Sequence, residues 1–146
     1  MSENLDVVRR ANELFTAGDW DAALELVHPS VAFRDLQTAP DIPEVLHGRD
    51  SVLLALAHWI DAYDEFGAEV YEYIDADPWV VCDTRWHGKG KGSEVLVDVH
   101  QADTCKVEDG KIVEWIVGYP DVATALKAVR SAEQADRLGG VRASER

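Results

Sequence analysis

Residues 102–119, ADTCKVEDGKIVEWIVGY, limit the possible folds more than any other stretch of this chain. They read as two β-strands folded back at Glu108-Asp109-Gly110, because an Asp-Gly pair supplies the positive φ that a tight hairpin turn requires. Alternation along the first strand puts Val97, Val99, Gln101, Asp103, Cys105 and Val107 on one face. Asp98, His100, Ala102, Thr104 and Lys106 fall on the other. Asp103 therefore sits on the more apolar face, where an unpartnered charge is costly. Such a carboxylate is either paired or put to use.

With 146 residues, the chain has the length of one domain and can bury a real core. A net charge of −14, spread along the chain, argues against nucleic acid and anionic membranes as partners, because like charge repels. The apolar run at 52–57 is far too short to span a bilayer. The opening MSENLDVVRR lacks a basic segment followed by an apolar one, so no secretory signal is expected. Cys82 and Cys105 stand alone in strand patterns, without CxxC spacing. Reduced, buried thiols in a cytoplasmic protein are the expected outcome.

The hydrophobic pattern predicts a helix over 4–17, closed by Gly18, and a short helix capped by Asp19 whose Trp20, Ala23, Leu24 and Val27 face inward. Pro29 should stop it. Val31, Phe33 and Asp35 alternate on a first strand, and the Pro-bearing loop 37–48 is the natural candidate for a lid. A third helix follows to about residue 64. Strands are expected at 68–75, 79–87, 94–107 and 111–119, then a last helix from Pro120-Asp121 through Val129. The polar tail 131–146 is expected to fray, leaving one domain over 1–130. Helices followed by hairpin-compatible strands give an α+β fold, a curved antiparallel sheet wrapped around helices into a cone.

This order of elements, with the words AGDWDAALELVHPSVAFRD (17–35), HGRDSVLLAL (47–56) and DTCKVEDGKIVEW (103–115), resembles the nuclear transport factor 2-like superfamily, a cystatin-like α+β roll. The closest likeness is to its SnoaL-like, polyketide cyclase-like branch, and it covers roughly residues 4–130. In that branch the strand word begins with an Asp that serves as acid/base, and Asp103 occupies that position. Further along, Glu114-Trp115-Ile116 stands where the branch carries Glu-His-Trp. The resemblance implies a cone-shaped pocket for a small apolar molecule and a homodimer. It leaves the chemistry open, because this scaffold hosts cyclases, isomerases, dehydratases, epoxide hydrolases and binding modules alike.

Three further groups bear on the site. On the strand 79–87, Asp83, Arg85 and His87 share one face with Val81, and Val80, Cys82, Thr84 and Trp86 share the other. With the first face turned inward, Arg85 between Asp83 and Asp103 would resemble the epoxide-opening arrangement of limonene epoxide hydrolase. With it turned outward, Arg85 makes a cross-strand ion pair, and Cys82 and Trp86 line the pocket. Asp35 ends the first strand as a second carboxylate at the pocket mouth, or as a solvated strand end. Trp20, Trp59, Tyr63, Trp86 and Trp115 come from elements that this fold gathers around one cavity, with Gln101 beside Asp103. They are the candidate contacts for a flat apolar ligand.

His100 is assigned to the outer face, and His28 to a helix C-terminal cap. No His, Cys or carboxylate spacing suits a metal, so neither metal nor cofactor is expected. Gly88-Lys89-Gly90-Lys91-Gly92 has no helix after it and is a weak phosphate cradle. Both faces of the last strand are apolar, which points to a homodimer through the outer face of the sheet. Two functions remain: a cofactor-independent acid–base enzyme centred on Asp103, with Arg85 or an indole N–H stabilising an oxyanion, or a non-catalytic small-molecule-binding or dimerisation module.

Overall fold

The computed structural model describes residues 3–36 and 45–144, apart from the side chains of Trp59, Ala62 and 136–144. Helix α1 (Glu3–Thr16) buries Leu5, Val8 and Ala11 along one stripe. It ends where Gly18 takes a φ of 82°, which lets the Asp19 N–H reach the Leu14 carbonyl at 2.9 Å. The Asp19 side chain then accepts from the Ala22 N–H and starts α2 (Trp20–Leu24).

Helix α2 is shorter than its apolar pattern predicts, because β1 (Val27–Asp35) already begins at Val27. Pro29 lies inside β1, in the irregular stretch between Val27 and Ala32 where pairing is interrupted, so its missing N–H breaks no ladder bond. His28 caps no helix; its Nδ1 accepts from the Ser30 N–H at 2.9 Å.

After β2 (Val45–His47) come α3 (Arg49–Ala62), β3 (Tyr63–Ala76), β4 (Trp79–Gly90), β5 (Leu96–Glu108), β6 (Lys111–Tyr119) and α4 (Val122–Ser144). Of the expected lid, residues 37–44 lie outside the described residues, and 45–47 form β2. The six strands make one curved, unclosed sheet in the order β2-β1-β6-β5-β4-β3. Every neighbouring pair is antiparallel except β1 and β6, which run parallel. The β5–β6 hairpin turns at Asp109-Gly110, both with positive φ, and Glu108 pairs with Lys111.

The sheet has two covered faces. On the inner face, Val31, Phe33, Val80, Cys82, Cys105, Val107, Ile112 and Val117 pack against Leu5, Val8 and Ala11 of α1 and Val52 of α3. On the outer face, Trp79, Val81 and Ala102 pack against Ala125 and Val129 of α4, with Ile116 and Leu126 beside them. Ile112 shares a face with Trp115 and Val117, against simple alternation along β6, because a register shift between Lys106 and Val107 changes the phase of that strand. Ile116, on the outer face expected to meet a second copy, packs beside the chain's own last helix. That helix continues past Val129 to Ser144.

Candidate functional site

Between the sheet and helices α1–α3 lies a cavity of about 1060 Å³. Phe15, Trp20, Phe33 and Trp115 make an aromatic wall, with the Trp115 ring 5.6 Å from Phe15 and 6.3 Å from Phe33. Val52, Leu56 and Ile60 of α3 close one side, and Arg9, Asn12 and Glu13 of α1 bring polar groups to Tyr73 of β3. Burial pushes the Tyr73 phenol up, against a hydrogen bond from Asn12. The floor carries Cys82, Thr84 and Asp103.

Asp103 faces inward from β5, opposite Cys82, as its alternation predicts. It is half-buried at the cavity floor. Its Oδ1 accepts from the Gly118 N–H at 3.0 Å and from the Gln101 Nε2 at 2.9 Å. Gln101 is itself held by the Trp86 indole N–H, 2.9 Å from its Oε1. Desolvation lifts the Asp103 carboxyl from 3.8 to about 6, and the nearby charge of Asp35 adds to the rise. The Gly118, Gln101 and Thr84 hydrogen bonds pull the other way.

The Gly118 donor depends on an irregularity in the sheet. Ala102 pairs with Tyr119 and Thr104 with Ile116, so β6 carries one residue more than β5 at this point. That extra residue is a β-bulge, and Gly118 within it has a φ of 97°. A bulged N–H is released from the ladder, and this one turns to the Asp103 carboxylate. Sequence reading missed Gly118. The available signal was a glycine inside a strand, which marks a bulge or a close backbone approach.

The structure does not bring Asp83 and Arg85 to this site. The face of β4 that carries Cys82 and Thr84 points into the cavity, so the Asp83, Arg85 and His87 face points outward. There Arg85 grips Asp98 with two hydrogen bonds, at 2.7 and 2.6 Å, and holds that carboxyl below its usual range. Asp83 meets His100 at 2.5 Å, and Tyr71 packs edge-on against the same imidazole. No arginine stands between Asp83 and Asp103, so the epoxide-opening arrangement is not formed.

The other candidates divide. Trp20 and Trp115 line the cavity. Trp86 and Gln101 lie on the inner face as a second layer behind Asp103. Tyr63 does not itself line the cavity; it packs on Trp86 near Gly88 and on Phe66, which does. The Trp59 side chain lies outside the described residues. Asp35 is not part of the wall, and its charge adds to the rise of the Asp103 carboxyl.

Cys82 and Cys105 are buried and free, and burial beside Cys82 pushes the Cys105 thiol up. Gly88 and Gly90 sit within β4, so the glycine run forms no phosphate loop. Among the described residues, no three His, Cys, Asp or Glu side chains converge as a metal site requires. No described helix is long and apolar enough to cross a membrane.

The SnoaL-like domain model matches residues 8–115, and the chain belongs to that family. Comparison with curated protein sequences finds no match. Solved structures share the fold. An NTF2-like protein of unknown function from Burkholderia pseudomallei is 19% identical, with a TM-score of 0.69 over 87% of this chain and 97% of that one. A protein assigned as a SnoaL-like polyketide cyclase from Mesorhizobium loti is 20% identical, with a TM-score of 0.63 over 78% and 97%. A protein of ketosteroid isomerase-like fold from Catenulispora acidiphila, solved with trimethylamine, is 16% identical, with a TM-score of 0.65 over 77% and 84%. At these identities the likeness extends to the fold and no further.

Proposed function

We propose that this protein is a cofactor-independent acid–base enzyme of the cyclase, isomerase or dehydratase kind. It moves a proton on a flat, largely apolar metabolite, and Asp103 is the catalytic residue. The observation that carries this reading is a carboxyl lifted to about 6 on the floor of a large aromatic-walled cavity, with one oxygen already committed to two N–H donors. With Oδ1 held in place, proton exchange falls to Oδ2. At pH 7 roughly nine-tenths of such a group is ionised, so it can take a proton from carbon and return it elsewhere on the substrate. Epoxide opening is the least supported of the chemistries this scaffold hosts, because Arg85 is engaged on the opposite face.

A non-catalytic binding module uses the same cavity and remains the second reading, favoured by the absence of Arg85 from the site. The two separate on Asp103→Asn. Asparagine keeps the Oδ1 acceptor for Gly118 and Gln101 but cannot transfer a proton. A panel of polycyclic ketones in D₂O, followed by NMR, reports deuterium entering at the carbon next to the carbonyl. The enzyme reading expects wash-in that falls about 10²–10⁴-fold in Asp103→Asn with affinity little changed. Tight binding with no wash-in for any bound ketone would support the binding module.

A further inference from the structure

A second, smaller cavity of about 360 Å³ lies on the outer face of the sheet, beneath α4. Arg34, Trp79, Ile116 and Tyr119 line its sheet side, and Ala128 and Ala132 its helix side. It is separate from the Asp103 site. Arg34 and Ile116 alternate along their strands with Phe33 and Trp115, which face the large cavity.

Two residues that line the small cavity carry buried hydrogen-bond donors with nothing among the described residues to donate to. Trp79 is 2% exposed, yet its indole N–H has no acceptor. The Arg34 Nε–H is likewise buried without a partner. The Thr104 hydroxyl, on the same face, leans toward the Tyr119 phenol without closing a hydrogen bond. Burial pushes that phenol up and the charge of Glu114 adds to the rise, while the charge of Arg34 opposes it. A buried donor left unsatisfied keeps its desolvation cost without return, and native folds retain few without a reason.

We infer that this cavity binds a small organic monocarboxylate. The carboxylate meets the Arg34 guanidinium and the Trp79 indole N–H, and the apolar body rests on Ile116, Ala128 and Ala132. Arginine presents a planar fork that matches a carboxylate, and an indole N–H only donates, so the occupant must accept. Glu114 also borders the cavity, and its negative charge opposes any anion there in proportion to the anion's charge, so a single charge is opposed least. That selects a monoanion over a dicarboxylate or phosphate. The alanine and isoleucine walls favour an organic anion over a bare inorganic one.

Benzoate is a suitable probe, with benzamide as its neutral counterpart and phthalate as the dianion. The readout is the ¹⁵N–¹H signal of the Trp79 indole, identified by its loss in Trp79→Phe. Benzoate is expected to move that signal saturably, and benzamide and phthalate to bind at least about tenfold more weakly. Arg34→Gln should weaken benzoate by a similar factor. If that variant fails to fold, the three-ligand comparison on the unaltered chain decides the matter. Three results would overturn the inference: a Trp79 signal that benzoate leaves still, benzamide binding as tightly as benzoate, or shifts confined to the Trp20 and Trp115 indoles. The first means that water alone satisfies these donors, and the last places the probe in the large cavity.

Discussion

Asp103 and Arg85 show how differently two charged residues on neighbouring strands are used. Asp103 has its carboxyl raised from 3.8 to about 6, chiefly by desolvation, so the folded state prefers the protonated form. Below about pH 4 both folded and unfolded chains carry the proton and the group costs nothing. As pH rises through 6, the unfolded chain has already released it and the folded chain must bury the charge. Stability is therefore lost with rising pH, by at most about 3 kcal/mol. Asp103→Asn should then be more stable than the parent at pH 7, with the gap closing below pH 4, in urea denaturation at both values. A variant less stable than the parent at pH 7 would mark Asp103 as a structural carboxylate. Arg85→Gln removes an exposed pair on the far face, so turnover and its pH profile should not change. A fall in turnover of tenfold or more would return Arg85 to the site.

At the level of elements, the bulge in β6 couples backbone geometry to that acidity. Gly118 holds a φ of 97°, which costs an L-residue about 1–2 kcal/mol, and its N–H is one of the groups that restrain the Asp103 pKa. Gly118→Ala should lower stability by about that amount. If the bulge relaxes, Asp103 loses the donor and titrates above 6, a change visible in the carboxyl ¹³C shift. Unchanged titration would mean that the bulge survives without glycine.

The same element shows what a sequence reading can reach. The inward face of β5 was legible because its alternation is clean from Val97 to Val107 and one charged residue, Asp103, stands out against it. Strand β4 was not. It is covered by α1 on one side and α4 on the other, so Val80 and Val81 are both buried and periodicity cannot say whether Arg85 points in or out. The phase changes at Val113 and Gly118 were hidden for a related reason. A bulge inserts a residue without altering composition, and only the glycine hints at it.

At the scale of the whole molecule, the sheet is a partition with a helix-covered cavity on each face, and α4 makes the outer side possible. Its length was hard to read because residues 131–144 are polar and include Gly139-Gly140, poor material for a helix judged alone. Packing of Val122, Ala125, Leu126 and Val129 onto Trp79, Val81 and Ala102 supplies what propensity lacks. Ala125 is fully buried in that contact. An aspartate there must either carry its charge into an apolar interface or force the helix away. Ala125→Asp should cost about 3 kcal/mol or more, where Ala125→Gly should cost about 1. Lifting α4 also uncovers Trp79, Val81 and Ile116, apolar residues on the outer face of the sheet. Light scattering should therefore show Ala125→Asp associating with rising concentration more strongly than the parent. Stability within about 0.5 kcal/mol of the parent, with no new association, would mean that α4 does not seal this face in solution.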